Sequence, residues 1–584
     1  FKDKPIMEFG SFIIRNSGND WFGESSGEGT MFRDVLMTRL TKNMDLEVLA
    51  SRQAVIYING EYWGIQNIRE KINEHYLASN KAVDPDQVEL LEGNQAVIVG
   101  DNQHYASLIN FINSNNIQNQ ANYDYVKTQM DVRNFINYQV AQIYYDNSDW
   151  PGNNIKYWRP ATPNGKWRWI MYDTDFGFGL WNPNNVYNNT LLFATEPNGP
   201  SHPNPPWSTF LLRQLLTNEE FKYDFINTFA DHINTSFNTD LVIDMINNLR
   251  DTIDEEMFHH VNRWGGSYQN WINQANDLRN FASLRPSNML TYLRNTFKLG
   301  YKKILNLDVS DQKGGYIKLN SIYLHSFPWQ GTYFEGVPVE ITAIPNPGYR
   351  FTGWSGDMDS SSPEIIIDIK NLGSLTANFV SDAEMAGYPV VINEIAYKPD
   401  AYNNSDDWIE LYNNSDYLTD ISGWVLKDAN DANSYFIKQG TVMAPHHYHV
   451  ICRNLMNFET VYPLVTDYQG EMGFGLNNEG DMVRLFNHKM ELVDSVAYGV
   501  SLPWPEIQNG SGYTLTLRDP SSDNTLPQSW FLSNDRLGTP GGNNAFALGN
   551  EGYMEGEITD VLFQNSPNPF THYTRIIFYS AREQ

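Results

Sequence analysis

The sequence predicts a multidomain chain, α+β in its first half and all-β in its second. Three observations predict it. The chain has 584 residues, too many for one core, so three to five domains of roughly 100–200 residues are expected. Between residues 1 and 300, β-rich runs alternate with stretches whose apolar residues recur every three or four positions, the period of amphipathic helices. From about residue 305 the helical period gives way to short alternating strands with Pro-Gly turns.

Composition removes several function classes. Forty Lys+Arg face 69 Asp+Glu, a net charge of -29. A chain this acidic repels phosphate backbones and anionic lipid, so neither nucleic acid nor a membrane surface is an expected partner. Hydrophobic residues at 41% and aromatics at 14% exclude a disordered polyelectrolyte. Cys452 is the single cysteine, which excludes a disulfide scaffold and Cys-based zinc or iron–sulfur sites. No apolar run of about 18 residues occurs, so no transmembrane segment is expected. Abundant Asn, Tyr and Trp with little Lys suit a secreted bacterial surface protein.

In chain order, QAVIYINGEYWGIQNIREKI (53–72) reads as two strands joined by Asn59-Gly60, the signature of a type I′ hairpin turn. Segments 121–145, 207–233 and 239–262 read as amphipathic helices, and KWRWIMYDTDF (166–176) as a strand ending in acids and glycine. Residues 306–382 form a small β unit and 388–545 a longer one. A Gly/Glu-rich linker (546–560) and a last strand-like piece (561–584) close the chain.

The densest polar constellation is YYDNSDWPGNNIKYWR (144–159), followed by the strand ending YDTDFGFG (172–179). Asp149 and Asn154 are five apart, the separation in the kinase catalytic loop H-R-D-L-x-x-x-N, where the Asp accepts the substrate hydroxyl proton and the Asn holds a metal ion. Asp173 and Asp175 stand where a strand runs into Gly177, and carboxylates so placed converge with an Asn on one hard cation. Residues 175–177 read Asp-Phe-Gly, although Asn147-Ser148 replace the His-Arg. Taken singly, such Asx residues are turn and helix caps; loop and strand-end acid in this order point to a site. The absence of G-x-x-x-x-G-K-[ST] excludes a P-loop. Trp150, Trp158, Trp167 and Trp169 could form a sugar platform, but alternation puts 167 and 169 on one strand face, where core is expected.

NGEYWGIQNIREK (59–71), DNSDWPGNNIKYWRP (146–160) and KWRWIMYDTDFGFG (166–179), with IIRNSGNDW (13–21) and MFRDVLMTRL (31–40) upstream, closely resemble the CotH kinase family. LLRQLLTNEEFKYDFINTFADHINTSFNT (211–239) and EEMFHHVNRW (255–264) extend the match over nearly all of 1–300. The resemblance implies an atypical kinase-like α+β fold and transfer of an ATP phosphate, with Mg²⁺ or Mn²⁺, to Ser or Thr of exported proteins. It implies Asp149 as the catalytic aspartate, Asn154, Asp173 and Asp175 as metal-holding, and Glu70 and Lys71 as nucleotide-side residues. Such proteins carry a Lys-Ser strand ahead of the point where this sequence begins, so N-terminal truncation of the domain is expected. PGYRFTGWSGD (347–357) and TANF (376–379) resemble a divergent internalin-B-type repeat. VVINEIAY, DDWIELYNNSD, ISGWVLKD and GTPGGNN (538–544) resemble the lamin-tail domain, an immunoglobulin-like sandwich. SPNPF (566–570) resembles the start of a type IX secretion sorting domain of Bacteroidota, here truncated. Together these imply a secreted or outer-membrane-attached protein. Two readings stay open: a secreted kinase, and a non-catalytic pseudokinase scaffold whose β domains bind a surface glycan or protein.

Overall fold

Asn59 and Gly60 both adopt left-handed backbone, with φ of 52° and 85°, and close the expected hairpin. The computed structural model describes residues 1–544 except 2, 3, 5, 7, 8, 24–26, 82, 347, 371 and 382–388. Beyond 544 it describes only Val561–Leu562 pairing with Phe578–Tyr579, so the expected linker and sorting segment otherwise lie outside the described residues.

The strands that position the site are β1 (Phe12–Arg15), β2 (Glu47–Val48), β3 (Ser51–Ile58), β4 (Glu61–Glu70), β5 (Val88–Glu92), β6 (Ala96–Val99), β7 (Lys156–Pro160) and β8 (Arg168–Met171). β4 lies between β1 and β3 in one antiparallel sheet, with Arg15 opposite Asn67. A second sheet runs β2-β8-β7-β5-β6. The helices used below are α1 (Arg33–Leu40), α2 (Val132–Tyr145), α3 (Glu219–Asn234), α4 (Thr239–Trp264) and α5 (Tyr268–Phe297).

Three elements differ from their sequence pattern. The stretch 121–145 is two helices, Gln120–Gln129 and α2. Met130 leaves the first to bridge Trp167, and Asp131 caps the second, accepting the Asn134 N–H at 3.0 Å. Likewise 207–233 divides at Asn218, which caps α3 through the Phe221 N–H at 3.1 Å. The 166–176 strand is only β8, because Asp173 takes φ 51° and turns the chain away. α5 continues for 30 residues through Pro286, normally a helix breaker, because its stripe Trp271, Leu278, Phe281, Arg285, Met289 and Leu293 is buried. Trp150, Trp158, Trp167 and Trp169 are core residues, none more than 3% exposed. No helix among the described residues is long and apolar enough to cross a membrane.

The β repeat pairs two four-stranded sheets, beginning at Lys302–Val309 and ending at Ser374–Ser381. It is keyed into the first domain. Asp231 of α3 is fully buried and accepts hydrogen bonds from Asn320 Nδ2 (3.0 Å), Ser321 N (3.0 Å), Ser321 Oγ (2.7 Å) and Tyr333 Oη (2.7 Å). Phe334 and Val337 of the repeat belong to the α+β domain's apolar core, and Ala230 of α3 to the repeat's.

The C-terminal domain packs a six-stranded sheet on a four-stranded one over Ile392, Trp424, Leu485 and Trp530. Glu394 and Glu410 pair across adjacent strands and are fully buried. The GTPGGNN segment closes over them: Thr539 N donates to Glu394 (3.1 Å) and Gly541 N to Glu410 (2.6 Å). Burial lifts both carboxyls, Glu394 to about 7 and Glu410 well above the usual range, with repulsion from Glu394 adding to the latter. A pKa raised on folding stabilises fully below the unfolded value, near 4.5, and that contribution is lost as pH rises through the folded value. The sandwich is therefore expected to lose stability as pH rises from 4.5 through 7, about 3 kcal/mol of it from Glu394 alone. Glu410→Gln should flatten this dependence, as read from its melting transition at pH 5 and pH 8.

Candidate active site

The site is assembled where the end of α2, the following loop and the end of β8 meet β1 and α1. α2 stops at Asp146, whose φ of 53° is left-handed. The Asp146 carboxyl is buried, accepts from the Thr190 hydroxyl and from Asn188 Nδ2 (3.0 Å), and is raised by that burial. Arg285 of α5 seals the helix end, donating to the carbonyls of Ile143 (2.8 Å) and Tyr144 (2.9 Å). The Phe178 N–H donates to Tyr145 O at 2.7 Å and the Ser148 N–H to Phe176 O at 3.4 Å. These two bonds tie the loop bearing Asp149 to the turn bearing Asp173 and Asp175.

Within this frame Asp149 Oδ2 accepts from Asn153 Nδ2 (2.7 Å) and Asn154 Nδ2 (2.9 Å), while its Oδ1 faces His202 Nε2 at 3.4 Å. Asn154, at φ 54°, also aims Nδ2 at the Asp173 carbonyl, 3.5 Å away. The Asp173 carboxylate is held by Arg15. Asp175, side chain 1% exposed, accepts from the same guanidinium (3.0 Å) and from the Asn19 N–H (2.7 Å). Burial, then the charge of Asp173, pushes the Asp175 carboxyl up to about 6.

Thr174, between the two acids, is anchored from below: its N–H and hydroxyl both donate to Asp34 Oδ1 at 2.7 Å. Asp34 of α1 in turn pairs with Arg69 of β4. Burial first, and then the nearby Arg15 charge, lowers the Arg69 guanidinium to about 10. Gly177 is required by closeness: a Cβ there would lie 2.6 Å from Met37 Sδ.

Asp149, Asn154, Asp173 and Asp175 are thus brought together. Glu70 sits elsewhere, buried against Lys4, with the Ala50 N–H (2.7 Å) and Asn80 Nδ2 (3.0 Å) on its carboxylate. Lys71 is exposed. Arg15, Asn19, Asp34 and Arg69 are site residues that motif reading passed over. Arg15 lies in IIRNSGNDW, but an arginine in an alternating strand has the same local pattern on a solvated face.

The donor set fits a hard divalent cation. Asp173 and Asp175 already converge on one positive centre, the guanidinium of Arg15, and Asn154 stands beside them. Among the described residues no group of three or more His, Cys, Asp or Glu forms a self-sufficient metal cage.

Three family models match the chain. Residues 1–289 match the family model for CotH kinase protein, 307–383 that for the divergent InlB B-repeat domain, and 383–500 that for the lamin tail domain. A search of curated proteins returns no match. Among solved structures, a DUF4876 family protein from Bacteroides thetaiotaomicron VPI-5482 aligns at 10% identity, covering 40% of this chain and 92% of its own, with a TM-score of 0.18; at that level it carries no argument. Residues 1–289 belong to the CotH kinase protein family, and they precede a divergent InlB B-repeat and a lamin tail domain.

Proposed function

We propose that this protein is a secreted atypical protein kinase that moves the γ-phosphate of ATP onto a Ser or Thr hydroxyl of an exported or surface protein. One observation carries the reading: Asn154 Nδ2 reaches both Asp149 Oδ2 (2.9 Å) and the Asp173 carbonyl (3.5 Å), joining the proposed base to the metal-holding strand end. In this reading Asp149 accepts the proton of the acceptor hydroxyl at Oδ1, while Asn153 and Asn154 hold Oδ2 and so fix the carboxylate plane. Asp173, Asp175 and Asn154 would hold Mg²⁺ or Mn²⁺, a cation that would supply neutralisation of phosphoryl charge. Asp34 and Thr174 keep the two aspartates at a fixed spacing, so the contribution of the chain is positioning and electrostatics.

The test is transfer from γ-labelled ATP in Mn²⁺, alongside thermal shift with and without the nucleotide. Asp173→Asn is expected to lose both the transfer and the metal-dependent stabilisation by ATP; retention of both rejects the reading. The second reading, a non-catalytic scaffold with glycan- or protein-binding β domains, draws on Arg15 already neutralising both carboxylates. It predicts no stabilisation by ATP and stabilisation by polysaccharide instead.

A further inference from the structure

We propose that Arg15 is a positioning residue that holds the Asp173–Asp175 pair in the metal-free protein, yields Asp173 to the entering cation, and then turns its guanidinium to the nucleotide phosphates. This rests on the kinase reading and assigns a role to a residue to which its motifs gave none.

The argument begins with charge. Arg15, Arg33 and Arg69 face Asp20, Asp34, Asp173 and Asp175 in one connected cluster, three cations against four anions. Without Arg15, two carboxylates separated by one residue would stand together against two cations shared with other acids. Guanidinium is suited to this duty because its planar fork can serve two carboxylates at once. The backbone beneath it is anchored: β1 pairs with β4, Arg15 opposite Asn67. The loop beyond is pressed on the pair. Gly18, at φ 64°, has no room for a side chain, since a Cβ would lie 2.1 Å from Arg15 Nη2 and 2.2 Å from Asp175 Oδ2.

The two carboxylates differ in what they stand to lose. Asp175 is 1% exposed and keeps the Asn19 N–H when Arg15 moves; Asp173 is 29% exposed, and Arg15 itself 24%. A cation from solvent therefore meets Asp173 first and competes with Arg15 there. The displaced guanidinium would stay tethered at the end of β1, and phosphate is the other anion that its fork matches.

The test measures free Mn²⁺ by electron paramagnetic resonance, first without and then with ATP, for the full chain and three variants. Arg15→Gln is expected to bind Mn²⁺ roughly tenfold tighter, as follows from freeing a carboxylate of one charge-assisted bond, and MnATP several-fold weaker. Arg15→Lys, which keeps the charge but not the fork, should bind Mn²⁺ as the parent does and MnATP more weakly. If Asp173→Asn abolishes Mn²⁺ binding while Arg15→Gln matches the parent or binds less, Arg15 is a structural brace and the proposal fails alone. If no Asp173-dependent Mn²⁺ binding occurs in any form, the metal-dependent kinase reading fails and the proposal with it. Should Arg15→Gln not fold, Arg15→Lys decides: parental affinity for MnATP overturns the phosphate role.

Discussion

Asp149→Asn is expected to lower phosphoryl transfer by about 10²–10⁴-fold, the usual contribution of a positioned general base, with the fold intact. The substitution is isosteric, and the amide oxygen can still accept from Asn153 or Asn154, which now hold Asp149 Oδ2 at 2.7 and 2.9 Å. Stability should therefore change by no more than about 1 kcal/mol. What disappears is the capacity of Oδ1 to take a proton. Transfer from γ-labelled ATP, normalised to the fraction melting cooperatively, separates the two effects. Label transfer at the parental rate in Asp149→Asn would remove it from the mechanism.

The second large effect is structural and lies on α5. Arg285 is fully buried and donates to Ile143 O (2.8 Å), Tyr144 O (2.9 Å), Val186 O (3.1 Å), Asn188 O (2.7 Å) and Thr190 Oγ1 (2.8 Å). Desolvation lowers its pKa, offset by attraction to Asp146. Arg285→Met fills much of the volume but takes the guanidinium from four carbonyls and Thr190 Oγ1, and its charge from the buried Asp146. Removing one partner of such a buried charged network costs about 3–5 kcal/mol, or on the order of 10 °C in the melting temperature of a domain this size. Because two of those carbonyls, of Ile143 and Tyr144, end α2 just before Asp149, activity should fall along with stability. Lysine does not restore it, since an ammonium cannot span five acceptors in a plane. Thermal unfolding followed by tryptophan fluorescence reads the loss directly.

Much of the candidate site was legible because it is local. Asp149, Asn154, Asp173 and Asp175 flank one hairpin, β7 to β8, so the order of two short motifs suffices to place them together. Arg15 meets Asp173 across 158 residues, and no local pattern reports that meeting; it is made by the register of β1 on β4. The same register explains why Arg69 rather than its neighbours enters the cluster. Alternation along β4 sends Arg69 towards Asp34 and Glu70 to the other face, where its carboxylate meets Lys4. The hairpin turn and the all-β half were readable for the same reason, as turn chemistry and period two are local properties. The helix that runs through Pro286 was not, because a local rule against proline is outweighed there by the burial of nine side chains.

The junction at Asp231 bears on how the chain is made. Synthesis runs from the amino end, so α3 leaves the ribosome before Asn320, Ser321 and Tyr333 exist to cover its carboxylate, and before Phe334 and Val337 complete the layer above it. Until then the nascent domain carries an acid with no partner and an open apolar seam. Closure of the α+β half thus waits on the repeat that follows it, and the boundary recognised by ancestry differs from the boundary at which the chain can close.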